Sequence, residues 1–442
     1  MTSPICEQTP VKRGRRALAA ALLCLAVLQG GCTSQPPSGA DDTDVVTLVF
    51  RHGKLSGDLR PLQDLIRRFE ATHPTVRVRA EPLPSNTDQQ HQIYAINLEG
   101  GASGIDVLAM DVIWIAEFAR AGWIRPLDDL FGPGQRAEFF PNALEAATYQ
   151  EKIWAVPWYI DAGVLYYRKD LLKKYGRRPP PTWEELIETV RIVLGGEQEP
   201  RLYGFIWQGR QYEGLICNAL EFIWGNGGDV LRPDGWTDLT SPATTNAVTF
   251  MRDLIHRHAV SPSLVTTADE ETSRHLFAGG RALFTRNWPY AWSLFEQEGS
   301  PVRGKVGVGP LPSFGGGPAV STLGGWHLGI AHDSRHPEAA WQFIEFLTSP
   351  EAQKVMARKV GIAPTRRSVY HDPKVVASQP ILSTLQPILE RARPRPVTPF
   401  YPMVSQILQS EFSAVLAGLR PPRTALVAAE RELLHTLLLE RL

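Results

Sequence analysis

Strand-like and helix-like segments alternate after residue 45, and this alternation most limits the folds open to the chain. A β-branched run at 45–50 is followed by a helix pattern whose apolar positions are 59, 62, 65, 66 and 69. His73-Pro74 ends that helix, and apolar residues then alternate at 76, 78 and 80, as in a strand. A helix near 93–98 and a strand at 105–109 repeat the order. Such an order predicts βαβ units, mainly parallel sheets and an α/β fold.

Two later segments are also predicted to be helical. The proline run at 179–181 marks a surface turn ahead of a helix at 183–194. The segment 424–442 is amphipathic, and we expect its leucines at 433, 434 and 437–439 to pack on the protein body. Without residues 1–31, the 442-residue chain still exceeds what one hydrophobic core usually serves, so two domains are expected.

The first 31 residues have the pattern of an export signal. Four basic residues at 12–16 precede a 12-residue apolar run at 17–28, which is shorter than the roughly 20 residues of a membrane span. Cys32 directly follows two glycines, an arrangement that resembles a bacterial lipobox, although Gln29 stands where that motif usually has an aliphatic residue. We therefore predict a lipoprotein signal peptide at 1–31, lipidation of Cys32 and a flexible tether at 32–44.

Charge and cysteine content exclude several classes of protein. The chain has 46 basic and 46 acidic residues, and the leader removes four basic and one acidic, which leaves a net charge of −3. This near balance gives no electrostatic reason to expect nucleic acid. Of four cysteines, Cys6 and Cys24 lie in the leader and Cys32 would be acylated, so Cys217 remains alone. A disulfide framework and a cysteine metal cluster are therefore not expected.

Twelve tryptophans suggest a sugar ligand. Aromatic faces stack on the C–H surfaces of pyranoses, while nearby polar groups bind the hydroxyls. Three clusters combine both features, and they include Trp158 with Asp161, Trp288 with Tyr290, and Trp326 with His327. For any single tryptophan a place in the core is the better explanation, but three such clusters together favour a sugar site.

Several motifs, in order along the chain, resemble a known family. The early ones are FEATHP at 69–74, IDVLAMD at 105–111, AGWIRPL at 121–127, IWAVP at 153–157, LYYRKDL at 165–171 and PTWEEL at 181–186. Together they resemble the extracellular solute-binding proteins of the carbohydrate ABC-importer type (family 1). Later motifs are most similar to the trehalose/maltose-binding branch: GFIWQG at 204–209, YEGL at 212–215, RNWPYA at 286–291, TLGGWH at 322–327 and PRPVTP at 394–399.

This resemblance implies a periplasmic-binding-protein-like fold of two α/β lobes that close on a ligand. The lobes would be joined by three hinge crossings, near 160–164, 307–311 and 360–364. The N-terminal lobe would span 45–160 plus 311–360, and the C-terminal lobe 161–310 plus 361–442.

The resemblance also implies the site residues. Asp111, Tyr159 and Asp161 would contact sugar hydroxyls, and Trp288 and Trp326 would be stacking platforms. Gly325 would offer a backbone N–H, and Arg395 a guanidinium held by its proline-rich loop. Polar contacts are also expected from Glu213, Asn86, Asp88 and, by its position, Gln89. Two alternatives stay open: Asp111 could cap a helix at 112–119, and Glu213 could be a solvated helix residue.

Catalytic motifs are incomplete in this sequence. The glycine-rich run at 299–305 resembles a phosphate-binding loop, but the next residue is Val306, where that motif needs Ser or Thr. The segment Gly101–Gly104 is one residue shorter than the G-x-S-x-G nucleophile elbow. His256 and His258 are badly spaced for a zinc site, and Glu184-Glu185 is a usual acidic first turn.

We therefore expect a non-catalytic, monomeric receptor without cofactor. It would be tethered outside the cytoplasm through Cys32, in the periplasm or on the outer face of the cell membrane. It would deliver an α-linked disaccharide, such as trehalose or maltose, to the transmembrane subunits of an ABC permease. The alternatives are a sugar receptor for a membrane chemosensor and a secreted glycoside hydrolase.

Overall fold

A computed structural model describes residues 45–53, 55, 59–101, 104–232 and 236–439. The predicted signal peptide, Cys32 and the tether lie outside these residues.

Twelve strands form three sheets in the described part of the chain. The strands are β1 (Val46–His52), β2 (Val76–Pro82), β3 (Val107–Asp111), β4 (Thr148–Tyr149), β5 (Lys152–Ile153), β6 (Val156–Ala162), β7 (Val164–Arg168), β8 (Tyr203–Ile206), β9 (Ala282–Asn287), β10 (Val306–Gly309), β11 (Leu323–Ile330) and β12 (Ala363–Pro364).

Helices surround the two larger sheets. They are α1 (Arg60–Thr72), α2 (Thr87–Glu99), α3 (Ile115–Arg120), α4 (Pro133–Arg136), α5 (Pro141–Ala146), α6 (Lys169–Lys174), α7 (Trp183–Glu197), α8 (Glu213–Gly225), α9 (Pro242–His256), α10 (Glu270–Ala278), α11 (Ala291–Phe295), α12 (Pro337–Leu347), α13 (Pro350–Lys359), α14 (Pro373–Ser378), α15 (Leu382–Arg391), α16 (Tyr401–Leu416) and α17 (Pro422–Leu439). Short 3-10 helices lie at Ser263–Thr267 and Arg367–His371. Among the described helices, none is both long and apolar enough to cross a membrane.

The sheets are mixed, so the prediction of mainly parallel pairing is wrong. The six-stranded sheet has the order β12-β6-β11-β3-β1-β2, and the four-stranded sheet has the order β10-β7-β9-β8. Among the paired strands of the described residues, only β1–β2, β1–β3 and β8–β9 are parallel. Parallel neighbours need a crossover connection, usually a helix. The later strands instead return from distant parts of the chain and pair antiparallel, as β11 does with both β3 and β6.

The early elements confirm the periodicity that predicted them. Helix α1 buries Leu62, Leu65, Ile66 and Phe69 on one face, as its apolar spacing requires. Phe69 and Phe50 of β1 both pack edge-on against Phe343 of α12, which anchors the core beside the six-stranded sheet.

The predicted helix at 183–194 is α7, and its first residue, Trp183, belongs to an aromatic cluster of the core. Thr182 caps it by accepting a hydrogen bond from the Glu185 N–H. Trp183 stacks on Phe222 of α8 at a centroid distance of 4.6 Å and contacts Phe205 of β8. This aromatic cluster joins α7 and α8 to the four-stranded sheet.

The C-terminal helix α17 forms as predicted, but only part of its leucine stripe is buried. Ala425, Leu426, Ala429 and Leu433 have no exposed surface, whereas Leu438 is half exposed. Ala429 lies four residues after Ala425 and three after Leu426, and Leu433 lies four after Ala429, so the buried positions share one helix face.

The chain passes directly from one large sheet to the other after β6. Strand β6 belongs to the six-stranded sheet and β7 to the four-stranded sheet, and only Gly163 separates them. The segment between β10 and β11 makes the opposite passage. Residues just before each passage therefore sit near the line where the two sheets meet.

Candidate functional site

A cavity of about 250 Å³ opens where ends of strands from both large sheets converge. Strand ends place Asp111, Asp161 and Trp288 in its wall, and the starts of α8 and α10 add Glu213 and Glu270. The full lining is Gly53, Leu55, Ser85, Asn86, Thr87, Gln90, Asp111, Tyr159, Asp161, Arg210, Tyr212, Glu213, Gly214, Cys217, Asp269, Glu270, Glu271, Trp288, Tyr290, Gly324, Gly325, Trp326, Ile362 and Arg395.

Nine of the eleven predicted site residues line this one cavity. They are Asn86, Asp111, Tyr159, Asp161, Glu213, Trp288, Gly325, Trp326 and Arg395. The exceptions are Asp88 and Gln89, which do not line it. Gln89 is exposed, and its backbone N–H donates to the Asn86 side chain. Burial raises the pKa of Asp88.

Arg395 bridges two buried carboxylates. Its Nη2 donates to Asp111 Oδ1 at 2.8 Å, and its Nη1 donates to Glu213 Oε1 at 2.7 Å. Tyr401 and Ser405 of α16 also donate to Glu213. The two terminal nitrogens of Arg395 are thus engaged within the protein, while its buried Nε has no partner among the described residues.

Glu213 is not a solvated helix residue, because only 4% of its surface is exposed. Burial raises its pKa, although the adjacent guanidinium acts in the opposite direction. Asp111 does not cap a helix through its side chain either. It accepts a weak 3.3 Å hydrogen bond from the Ile113 N–H, and helix α3 begins only at Ile115.

Asp161 is the least satisfied carboxylate of the wall. It lies at the end of β6, is 9% exposed, and its Oδ1 has no hydrogen-bond partner in the described part of the chain. Burial raises the pKa of Asp161 to about 7, an effect that Arg286 opposes and Asp111 reinforces. A hydroxyl donor would supply the hydrogen bond that this oxygen lacks.

Trp288 is held by polar groups at its edge and at one face. Its Nε1 donates to Glu270 Oε1 at 3.2 Å, and Tyr212 donates to the other oxygen of Glu270 at 2.6 Å. The Arg286 guanidinium lies 3.8 Å from the indole centroid, in a cation–π contact. The ring remains half-buried at the cavity, in an orientation held by Glu270 and Arg286.

Gly325 allows two strands to approach beside the cavity. Its φ of +123° is in a region that L side chains rarely adopt, and an added Cβ would lie 2.4 Å from the Tyr159 carbonyl oxygen. The next residue, Trp326, is half-buried and contacts Trp114 edge-on. By contrast, Trp158 is 2% exposed and belongs to the core, so only two of the three predicted aromatic clusters supply a tryptophan to the cavity.

A buried ion pair behind the cavity was not predicted from the sequence. Arg286 of β9 binds Glu221 of α8 through two hydrogen bonds, of 3.0 and 2.6 Å. Glu221 Oε1 also accepts from the Thr322 N–H at 3.2 Å, and a Cβ on Gly163 would lie 1.9 Å from that oxygen. The pair therefore packs against the passage between β6 and β7. Arg286 stood in a recognised motif, but no local pattern marks Glu221 as its partner.

Further lining residues were also missed. Tyr212 was only part of a motif, and Tyr290 was named only as a neighbour of Trp288. Glu270-Glu271 looks like an ordinary acidic first turn, which it also is. Gln90 occupies a core position of α2, together with Tyr94 and Leu98. Of these residues, only Gln90 could have been found from the sequence, because a glutamine among the apolar residues of a buried helix face is unusual. Within the described residues, no group of three or more His, Cys, Asp or Glu side chains is arranged to hold a metal ion.

Comparison with known proteins identifies the family. The family model described as "Bacterial extracellular solute-binding protein" matches residues 53–354. A probable ABC transporter-binding protein of Deinococcus radiodurans is 35% identical over 363 residues, which cover 80% of this chain and 86% of that protein. A maltotriose-binding protein of Pyrococcus abyssi is 25% identical, over 80% of this chain and 73% of its own length.

Solved structures agree with this match. Maltose-bound MalE3 of T. maritima superposes with a TM-score of 0.84 at 40% identity, and the match covers 88% of this chain and all of the other. This similarity confirms the predicted two-lobe α/β fold of periplasmic sugar-binding proteins. The chain belongs to the bacterial extracellular solute-binding protein family.

Proposed function

We propose that this protein captures an α-linked disaccharide of the maltose or trehalose type in the cavity around Asp111, Asp161, Trp288 and Trp326. The observation that carries the proposal is a set of three buried polar atoms beside the cavity that lack partners in the described residues. They are the acceptors Gln90 Oε1 and Asp161 Oδ1 and the donor Arg395 Nε. A sugar hydroxyl both donates and accepts, so hydroxyls can serve all three.

The charge of the wall favours a ligand without negative charge. Six carboxylates line the cavity, against two guanidinium groups, Arg210 and Arg395. Arg395 is already bound to two of the carboxylates, and Arg210 lies 3.3 Å from Asp269. An anionic sugar would be repelled, whereas neutral hydroxyls would find charge-assisted acceptors.

Two features support a ligand longer than one ring. Aromatic side chains lie on several elements around the cavity, with Tyr159 and Trp326 from the six-stranded sheet and Trp288 just after β9. The names of similar proteins also include maltose and maltotriose ligands. Under this proposal Tyr159, Glu213, Gly325 and Asn86 complete the ligand shell.

The proposed partner is the transmembrane part of an ABC permease, which would receive the sugar outside the cytoplasm. We propose that a lipid on Cys32 anchors a monomer to the membrane. Replacing Cys32 by alanine should then leave the protein soluble or uncleaved. Membrane fractionation like that of the wild type would contradict the anchor.

Three chain segments meet at the proposed hinge. Ser321 Oγ donates to the Gly163 carbonyl at 2.7 Å, and the Arg393 N–H donates to the Ser321 carbonyl at 2.9 Å. Asn142 of α5 donates to the carbonyls of Leu389 and Ala392, so α15 packs with elements beside the six-stranded sheet. These contacts support a third crossing near Arg393, later than the motif-based position at 360–364.

A thermal-shift panel of maltose, trehalose, maltotriose, mannitol and glucuronate tests the proposed ligand. A ligand that binds only the folded state raises the melting temperature, and we expect this from a neutral α-linked disaccharide and not from glucuronate. The same samples are assayed for released glucose. No shift with any neutral sugar would refute the binding function, and steady release of glucose would favour the hydrolase alternative.

A further inference from the structure

Gln90 occupies an unusual place for a buried amide. It lies one turn into α2, is 2% exposed and lines the cavity, yet its Oε1 has no hydrogen-bond partner among the described residues. The next two buried positions of the helix, Tyr94 and Leu98, pack as core residues. Tyr94 satisfies its own hydroxyl by donating to the carbonyls of Arg51 and Ala109.

A comparable buried amide, Gln353, is satisfied by partners within the protein. Gln353 is also 2% exposed, and its Oε1 accepts from the Thr365 and Arg366 N–H groups at 2.9 Å each. Its Nε2 donates to Thr365 Oγ1 at 2.5 Å. Leaving a buried acceptor without a partner destabilises the folded state, so Gln90 is costly unless another molecule completes it.

The local geometry holds the Gln90 amide beside an aromatic ring. A Cβ on Gly53 would lie 2.8 Å from Gln90 Oε1, 3.0 Å from its Nε2 and 3.1 Å from Trp326 Cη2. Glycine at position 53 therefore leaves the space in which the amide and the indole edge lie side by side. Ligand pockets combine aromatic side chains with a few precisely placed polar groups, and Trp326 and the Gln90 amide supply one of each here.

We infer that Gln90 is a ligand-binding and specificity-determining residue, whose Oε1 accepts a hydrogen bond from a sugar hydroxyl beside Trp326. Gly53 is the positioning residue that makes room for this contact. The inference rests on the proposed sugar-binding function and adds to it the residue that would bind one hydroxyl of the sugar.

The experiment compares Gln90→Leu with the matched control Gln353→Leu, using calorimetric titration with maltose and trehalose and a melting curve on each protein. Gln90→Leu removes a hydrogen bond made only to ligand, so the affinity should fall about 5- to 30-fold while the melting temperature stays equal or rises. Gln353→Leu breaks bonds within the protein, so its melting temperature should fall and its affinity should stay within about twofold.

Two further arms make the test decisive. Gly53→Ala keeps the Gln90 side chain but displaces its amide, and it should weaken binding in the same direction. It decides the matter if Gln90→Leu fails to fold. Maltose derivatives that each lack one hydroxyl are titrated against both proteins. One of them should bind the wild type more weakly than maltose does, but should bind Gln90→Leu with the same affinity as maltose binds Gln90→Leu. The missing hydroxyl and the substitution then remove the same contact.

The outcomes separate two failures. If the wild type binds no sugar, the proposed function fails, and this inference fails with it. If the wild type binds sugar while Gln90→Leu and Gly53→Ala bind equally well, only the role of Gln90 is refuted. A lower melting temperature with wild-type affinity would make Gln90 a structural residue.

Discussion

The bridge made by Arg395 leads to a quantitative prediction for the variant Arg395→Met. The side chain of Arg395 is 2% exposed, and those of its partners Asp111 and Glu213 are 12% and 5% exposed. Methionine keeps much of the volume but leaves two buried carboxylates without their cation. Breaking a buried ion pair by removing one partner costs about 3–5 kcal/mol of unfolding free energy.

This cost should appear as a lower melting temperature. An unfolding entropy of roughly 2.1 cal/mol/K per residue, over about 400 residues, corresponds to about 0.8 kcal/mol per degree. Calorimetry at pH 7.5 should therefore show a decrease of about 4–6 °C for Arg395→Met. The decrease should shrink toward pH 5, because protonation removes the uncompensated charge of Glu213, whose pKa burial already raises.

Two companion variants decide whether the ion bridge is the cause. Adding Glu213→Gln to Arg395→Met removes one stranded charge but keeps an acceptor for Tyr401 and Ser405, so it should recover part of the lost stability. Arg67→Met removes an exposed arginine paired with Asp64 and should shift the melting temperature by less than about 1 °C. An Arg395→Met protein that melts like the wild type, or a double variant no better than the single, would refute the reasoning.

Three further predictions concern the cavity wall and the passage between β6 and β7. Burial raises the pKa of Asp161 to about 7, so the folded protein keeps a proton between pH 4 and 7 that the unfolded chain has lost, and stability falls as pH rises through this window. Asp161→Asn should therefore gain melting temperature relative to the wild type between pH 5 and 8, while its affinity for maltose falls. Trp288→Ala should bind maltose about tenfold more weakly in titration calorimetry, with a small change in melting temperature because the ring is half-buried. Gly163→Ala places a Cβ 1.9 Å from Glu221 Oε1 and should cost about 3–5 kcal/mol in denaturant unfolding by disrupting the buried pair with Arg286.

Each of these predictions has a control or an opposing result. A constant difference between Asp161→Asn and the wild type across pH would show that Asp161 does not titrate in this window. Trp183→Ala removes a ring that is 2% exposed and should reduce stability far more than Trp288→Ala. Gly134→Ala is the control for Gly163→Ala, because no atom lies within 4 Å of a Cβ added at position 134. Equal stability of the two glycine variants would contradict the proposed clash.

Local sequence determined the elements whose signals are local. The spacing of Leu62, Leu65, Ile66 and Phe69 defined α1, because one helix face repeats every three to four residues whatever packs on it. Motifs in chain order identified the family, and through it nine of the residues that line the cavity. The sequence also showed their residue types, which are mainly carboxylates and aromatic rings at strand ends and turns.

Tertiary structure alone decided how those residues are used. Arg395 lies 284 positions from Asp111 and 182 from Glu213, and no local pattern shows that its guanidinium binds both. The antiparallel pairing of β11 with β3 and the ion pair of Glu221 with Arg286 likewise join distant segments. A buried charge or amide needs a hydrogen-bond or ion-pair partner close to it in space, wherever that partner lies in the sequence. Which residues pair therefore depends on which surfaces the whole fold brings together and removes from water.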